Sequence, residues 1–112
     1  MATISNLFVD AGSDYSIIVT IKNSAGSAYN LTNYVIKSQM RKSYSSSVAY
    51  DFDASVYDAS NGKIKLALTA ANSELIPPGR WLYDVEITQG ATGPRKRVLE
   101  GIVTVTPQIT QT

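Results

Sequence analysis

Hydrophobic and polar residues alternate with a period of two along most of the chain. Tyr15, Ile17, Val19 and Ile21 share one face of an extended segment, with Ser16, Thr20 and Lys22 opposite and Ile18 as the exception. Tyr34, Ile36, Ser38 and Met40 oppose Lys37, Gln39 and Arg41, and Tyr50, Phe52, Ala54 and Val56 oppose Ala49, Asp51, Asp53 and Ser55. Ile64, Leu66 and Leu68 oppose Lys63, Lys65 and Ala67; Trp81, Tyr83, Val85 and Ile87 oppose Asp84, Glu86 and Thr88. Leu99, Val103 and Val105 form a last apolar face, with Gly101 among them. Strict alternation marks half-buried strands, because successive side chains leave opposite faces of a pleated chain. With Leu7 to Val9, the pattern predicts about seven strands.

The breaks fall where turns are chemically favoured. Ser24-Ala25-Gly26-Ser27, the serine-rich Ser43 to Ser47, Asp58-Ala59-Ser60-Asn61-Gly62 and Gln89 to Pro94 separate the alternating runs. Gly12, Gly26, Gly62 and Gly79 stand where turns call for positive φ. One short helical turn is predicted near residues 70–75, capped by Thr69 and stopped by Pro77-Pro78-Gly79.

Short strands with frequent turns and no βαβ unit predict an all-β chain, folded as an immunoglobulin-like β-sandwich of about seven antiparallel strands, lettered A to G. Residues 1–107 are read as a single domain and 108–112 as a loose C-terminal tail. In that topology strands C, F and G share a sheet. Its outward residues would be Lys37 and Arg41, Asp84 and Glu86, and Lys96 and Glu100, so opposite charges face one another across strands. A structural ion pair of Arg41 with Asp84 or Glu86 follows as an expectation.

Composition narrows the chemistry. The 112 residues are 44% hydrophobic and 17% charged, which suits a packed domain rather than a disordered one. There is no histidine and no cysteine. His-based triads, thiol nucleophiles, disulfides and nearly every zinc or transition-metal site are thereby excluded. A net charge of +1 supplies no field toward nucleic acid or an anionic membrane. No apolar run approaches the about 20 residues of a spanning helix. The N-terminus lacks the basic and apolar regions of a secretory signal, so synthesis in a cytoplasm is expected.

The remaining candidates are weak. Asp51, Asp53 and Asp58 suggest calcium, but an EF-type loop starting at Asp51 would end on Gly62 where a bidentate Glu is required. Asp84 and Glu86, two apart on one strand face and about 7 Å from each other, could form an acid pair, yet their face is otherwise polar and basic side chains lie near. Arg95-Lys96-Arg97 is the one charge run, too small for more than a salt-sensitive phosphate footprint. Tyr29, Tyr44 and Tyr57 sit at loops or strand ends and are candidate interface residues, since tyrosine offers contact area at low entropic cost. No cofactor, metal, small-molecule substrate or catalytic residue is expected.

Several short motifs, taken in order, carry a family resemblance. They are Asp10-Ala11-Gly12-Ser13-Asp14-Tyr15, Asn30-Leu31-Thr32-Asn33-Tyr34, Gln39-Met40-Arg41-Lys42-Ser43, Gly62-Lys63-Ile64 with Leu66 and Leu68, Leu68-Thr69-Ala70-Ala71-Asn72, Pro78-Gly79-Arg80 with Tyr83-Asp84-Val85, and Glu100-Gly101 with Val103-Thr104-Val105-Thr106-Pro107. The chain resembles a small β-sandwich module of tailed-bacteriophage structural proteins. That module recurs in N-terminal attachment domains of baseplate upper proteins and in short cyanophage virion proteins. Asn30 and Asn33 stand where the family pattern has Asp and Gly.

The resemblance implies a non-enzymatic virion protein, a tail or baseplate adaptor or fibre-attachment module. Its partners would be other virion proteins and further copies of itself, not nucleic acid or membrane. A capsid decoration protein is the alternative, and a carbohydrate-binding module a second one.

Overall fold

A computed structural model describes residues 3–23, 25–43, 45–90 and 92–107. The expected tail at 108–112 and Tyr44 lie outside the described residues. The elements are β1 (Thr3–Ile4), β2 (Leu7–Asp10), β3 (Tyr15–Thr20), β4 (Tyr34–Arg41), β5 (Ala49–Asp51), β6 (Asp53–Asp58), β7 (Lys63–Leu68), α1 (Ala70–Glu74), β8 (Gly79–Gln89) and β9 (Arg95–Thr106). They form two sheets packed as a sandwich. The larger runs β1-β9-β8-β4-β5, with β2 also on β9; the smaller runs β3-β7-β6. Expected strands C, F and G are β4, β8 and β9, and they do share a sheet.

The alternating apolar positions meet between the sheets. Ile64, Leu66 and Leu68 of β7 face Met40, Trp81, Tyr83, Val85, Ile87, Leu99, Val103 and Val105 of the larger sheet, all buried. α1 forms where predicted, with Thr69 Oγ1 accepting from the Asn72 amide. Its Ser73 is fully buried: Ser73 Oγ accepts from the Gly12 amide at 3.0 Å and donates to Ser13 O at 2.8 Å. The Ala70 amide donates to Asp14 Oδ1 at 2.7 Å. The short helix is thus riveted to the turn that joins β2 to β3.

All four glycines expected at positive φ adopt it. Gly62 is also held by proximity, because a Cβ there would meet Ile21 O at 2.5 Å and Tyr29 O at 2.7 Å. Asn33 also has a positive φ, 67°. Asn suits that place, since it enters the left-handed region more readily than most side chains.

Three features depart from expectation. The strand read over Tyr50 to Val56 is two strands in different sheets. β5 pairs with β4, β6 pairs with β7, and buried Phe52 is the corner, its amide donating to Ser38 O. The strands are not all antiparallel, for β1 and β2 run parallel to β9. No hairpin joins these segments, so connectivity does not impose an antiparallel pairing. Finally, β9 carries a bulge: Val85 faces Leu99 but Glu86 faces Arg97, leaving Val98 as the extra residue. Val98 and Leu99 are consequently both buried.

Candidate functional site

The bulge decides which charges meet on the outer face of the larger sheet. Before Val98 the outward residues of β9 are Arg95 and Arg97; after Leu99 they are Glu100, Ile102 and Thr104. Arg97, not Lys96, therefore joins the charged ladder. Its Nε lies 3.2 Å from Asp84 Oδ2 and its Nη1 3.3 Å from Glu100 Oε2. Lys96 turns the other way, with Nζ 5.4 Å from the Tyr29 ring centroid.

The expected pairing of Arg41 with Asp84 or Glu86 is corrected here. Across the β4–β8 ladder Arg41 faces Leu82, while Gln39 faces Asp84 and Lys37 faces Glu86. The Arg41 guanidinium donates to Ser46 O at 2.6 Å and to Gln39 Oε1 at 3.2 Å. It braces the β4–β5 loop instead of the β8 carboxylates.

Beside the ladder the chain opens a shallow groove of about 560 Å³, walled by Ile4 and Asn6 on one side and by Leu82, Asp84, Arg97 and Ile102 on the other. A kink at Ser5-Asn6 shapes it. The Ser5 amide donates to Glu100 O, and the Ile102 amide donates to the Asn6 side chain at 3.1 Å in place of a backbone partner. Tyr83, rising from the core, donates its hydroxyl to Ser5 O at 2.5 Å. Burial pushes that hydroxyl up to about 12, the Ser5 bond opposing and Tyr15 adding to the shift. Gly101 lies under the kink, where a Cβ would collide with Ser5 O. Ile4, on the groove wall, is 72% exposed, and Phe8 of the neighbouring β2 is 71% exposed.

Burial holds the Asp84 carboxyl above its ordinary value, Glu86 and Glu100 push the same way, and Arg97 and, more weakly, Arg41 pull it down. The folded state thus binds this proton more tightly than the unfolded chain. Asp84 favours the fold at low pH, and that contribution fades as pH rises from the ordinary carboxylate range through the raised value. In Arg97→Ala the Asp84 midpoint is expected to rise further, as followed by NMR titration of its carboxyl carbon. An unchanged or lower midpoint would show that Arg97 does not act on Asp84 in solution. The pair itself is half-exposed, with side-chain exposures of 49% and 33%, and contributes only about 0–1 kcal/mol.

No family model matches the chain, and no curated protein matches it. Among solved structures it is similar to part of a family 123 glycoside hydrolase from Clostridium perfringens, with 11% identity and a TM-score of 0.40 over 94% of this chain and 23% of that one. At that score the likeness carries no argument about activity.

The other singled-out residues scatter. Tyr29 does not stand free as an interface anchor. It is half-buried at one end of the sandwich, edge-on to Tyr34 at 5.7 Å with the two hydroxyls 3.2 Å apart. Tyr57 is 59% exposed, at a bulge where β6 meets β7. Asp58 is held below the ordinary carboxylate range chiefly by the Asn61 side chain, with Ser60 and Lys63 helping. Its oxygens serve their own turn and do not join Asp51 and Asp53. Among the described residues no helix is long and apolar enough to cross a membrane.

Proposed function

We propose that this chain is a non-enzymatic structural protein of a tailed-bacteriophage particle, a tail or baseplate adaptor or fibre-attachment module that acts through protein–protein contacts. The observation that carries the reading is the pair of exposed apolar side chains Ile4 and Phe8 on β1 and β2, of which Ile4 lines the groove together with Leu82 and Ile102. Clustered exposed apolar side chains beside a charged ladder suit a docking surface, where apolar contact supplies affinity and charges set register.

The motifs that carry the family resemblance have structural work to do. Asp14 and Gly12 fasten α1, Asn30 accepts from the Thr32 amide and hydroxyl before β4, and Gly62 turns β6 into β7. They support a shared scaffold, while contact specificity falls to residues outside them. A carbohydrate-binding platform needs several exposed rings on one face. Here Trp81, Tyr83 and Phe52 are buried, and the exposed Phe8 and Tyr57 belong to different sheets.

Antibody labelling of intact particles is the test. Label at the tail is the expected result. Label over the head replaces the adaptor with the decoration reading, and absence of the chain from purified particles overturns both.

A further inference from the structure

The free edges of the two sheets are unequal. β6 carries Asp53 and Asp58 and a bulge at Tyr57, β5 is three residues long and ends in Asp51, the open stretch of β4 carries Lys37, and β2 carries Asp10 beyond the kink. Charges, bulges and shortness are the usual means by which edges are kept from pairing. β3, Tyr-Ser-Ile-Ile-Val-Thr, has none of them: six regular residues without a charge at the margin of the smaller sheet.

Among the described residues the backbone of that edge is unpaired in a definable way. The Ile21 amide donates to Gly62 O, which continues the register Tyr15–Leu68, Ile17–Leu66 and Val19–Ile64 as hydrogen-bonded pairs. Alternation then turns the N–H and C=O groups of Ser16, Ile18 and Thr20 to the open side. The side chains are also incompletely covered. Tyr15, Ile17 and Val19 point inward yet stay half-buried, while their partners Leu68, Leu66 and Ile64 are buried, and outward Ile18 is 46% exposed.

We propose that β3 is a self-association edge, pairing antiparallel with β3 of a second copy about a two-fold axis at Ile18. The strand is its own complement in that register. Ile18 faces Ile18 of the other copy, Ser16 faces Thr20, and Ile17 faces Val19, so β-branched and hydroxyl side chains pair favourably and no like charges meet. Ser16, Ile18 and Thr20 exchange their free backbone groups, and the two small sheets become one. A charged partner strand would find nothing on this edge to recognise, which favours a second copy. The inference specifies the self-association part of the proposed adaptor reading. It is tested on the isolated chain, so its failure leaves the particle location to be decided separately.

Light scattering coupled to size exclusion over a range of loading concentrations should give twice the 12.1 kDa chain mass at high concentration. Ile18→Lys, which puts two ammonium groups at the axis, should halve that mass, whereas Ser55→Lys on β6 should leave it unchanged. Should Ile18→Lys not fold, hydrogen exchange on the unmodified chain decides: the amides of Ser16, Ile18 and Thr20 should be slowed as concentration rises. A monomer at every concentration, a dimer surviving in folded Ile18→Lys, or exchange at those amides that ignores concentration overturns the proposal.

Discussion

Trp81→Ala is expected to destabilise the fold by about 3–5 kcal/mol, the range for deleting a large aromatic side chain from a core. Trp81 is 3% exposed and ties the turn just before β8 to β5 and to the residue that follows β4. Its ring stands edge-on to Tyr50 of β5 at 5.4 Å, its indole N–H donates to Pro77 O at 2.9 Å, and Lys42 Nζ lies 4.8 Å from its centroid. Truncation leaves a cavity under β5 and an unpartnered Pro77 carbonyl at the entry to β8. For a domain whose whole stability is of order 5–15 kcal/mol, that is about a fifth of the total at the least. At about 4 °C or more per kcal/mol for a chain near this size, Tm should fall by over about 10 °C. Urea unfolding followed by far-ultraviolet circular dichroism reads the change without needing the lost fluorophore. Trp81→Phe separates the contributions: it keeps a ring against Tyr50 and loses only the donor and some area, so it should cost less than half as much. A loss below about 1 kcal/mol for the alanine variant, against that range, would mean that β5 collapses into the space.

Most of the strand content was legible because both sheets bury one face against the same core, and alternation reports burial directly. The same property hid the corner at Phe52. Tyr50, Phe52 and Ala54 all point inward, Tyr50 from one sheet and Ala54 from the other, so the period of two runs through the crossing unbroken. The bulge in β9 did leave a signal. Val98 and Leu99 are adjacent apolar residues, as Ile102 and Val103 are, but Val98 and Leu99 are both buried, which requires the ladder to slip by one there. Taking alternation straight through that point assigns Lys96 to the charged face and Arg97 away from it, and so misassigns the partner of Asp84 to Arg41. Tyr29 illustrates a different limit. Its packing against Tyr34 and under Lys96 brings together the Leu31 turn and the start of β9, a contact set by the closed sandwich and by nothing local.

Gly101→Val tests how the groove is built, and its effect should reach beyond stability. Gly101 is extended rather than left-handed, so the demand for glycine there comes from proximity: a Cβ would strike Ser5 O, with Asn6 Oδ1 3.0 Å away. In a strand interior, such a glycine marks a close approach of another backbone. Valine must push the Ser5-Asn6 kink outward. Overpacking of this kind costs about 1–3 kcal/mol. Displacing Ser5 also strips the buried Tyr83 hydroxyl of its acceptor, which adds about 1–3 kcal/mol for an unsatisfied polar group. The damage should be local in character. Protection of the Ser5 and Ile102 amides, which rests on Glu100 O and the Asn6 side chain, should fall in hydrogen exchange, while amides of β7 keep theirs relative to the lowered global stability. With Ile4 and Asn6 withdrawn, the groove loses one wall, so a chain that docks through this arm should no longer be incorporated into particles. Retained protection at Ser5 and Ile102 in the valine variant would mean that the kink is not held by the absence of a side chain at 101, and the arm's position would then need another cause.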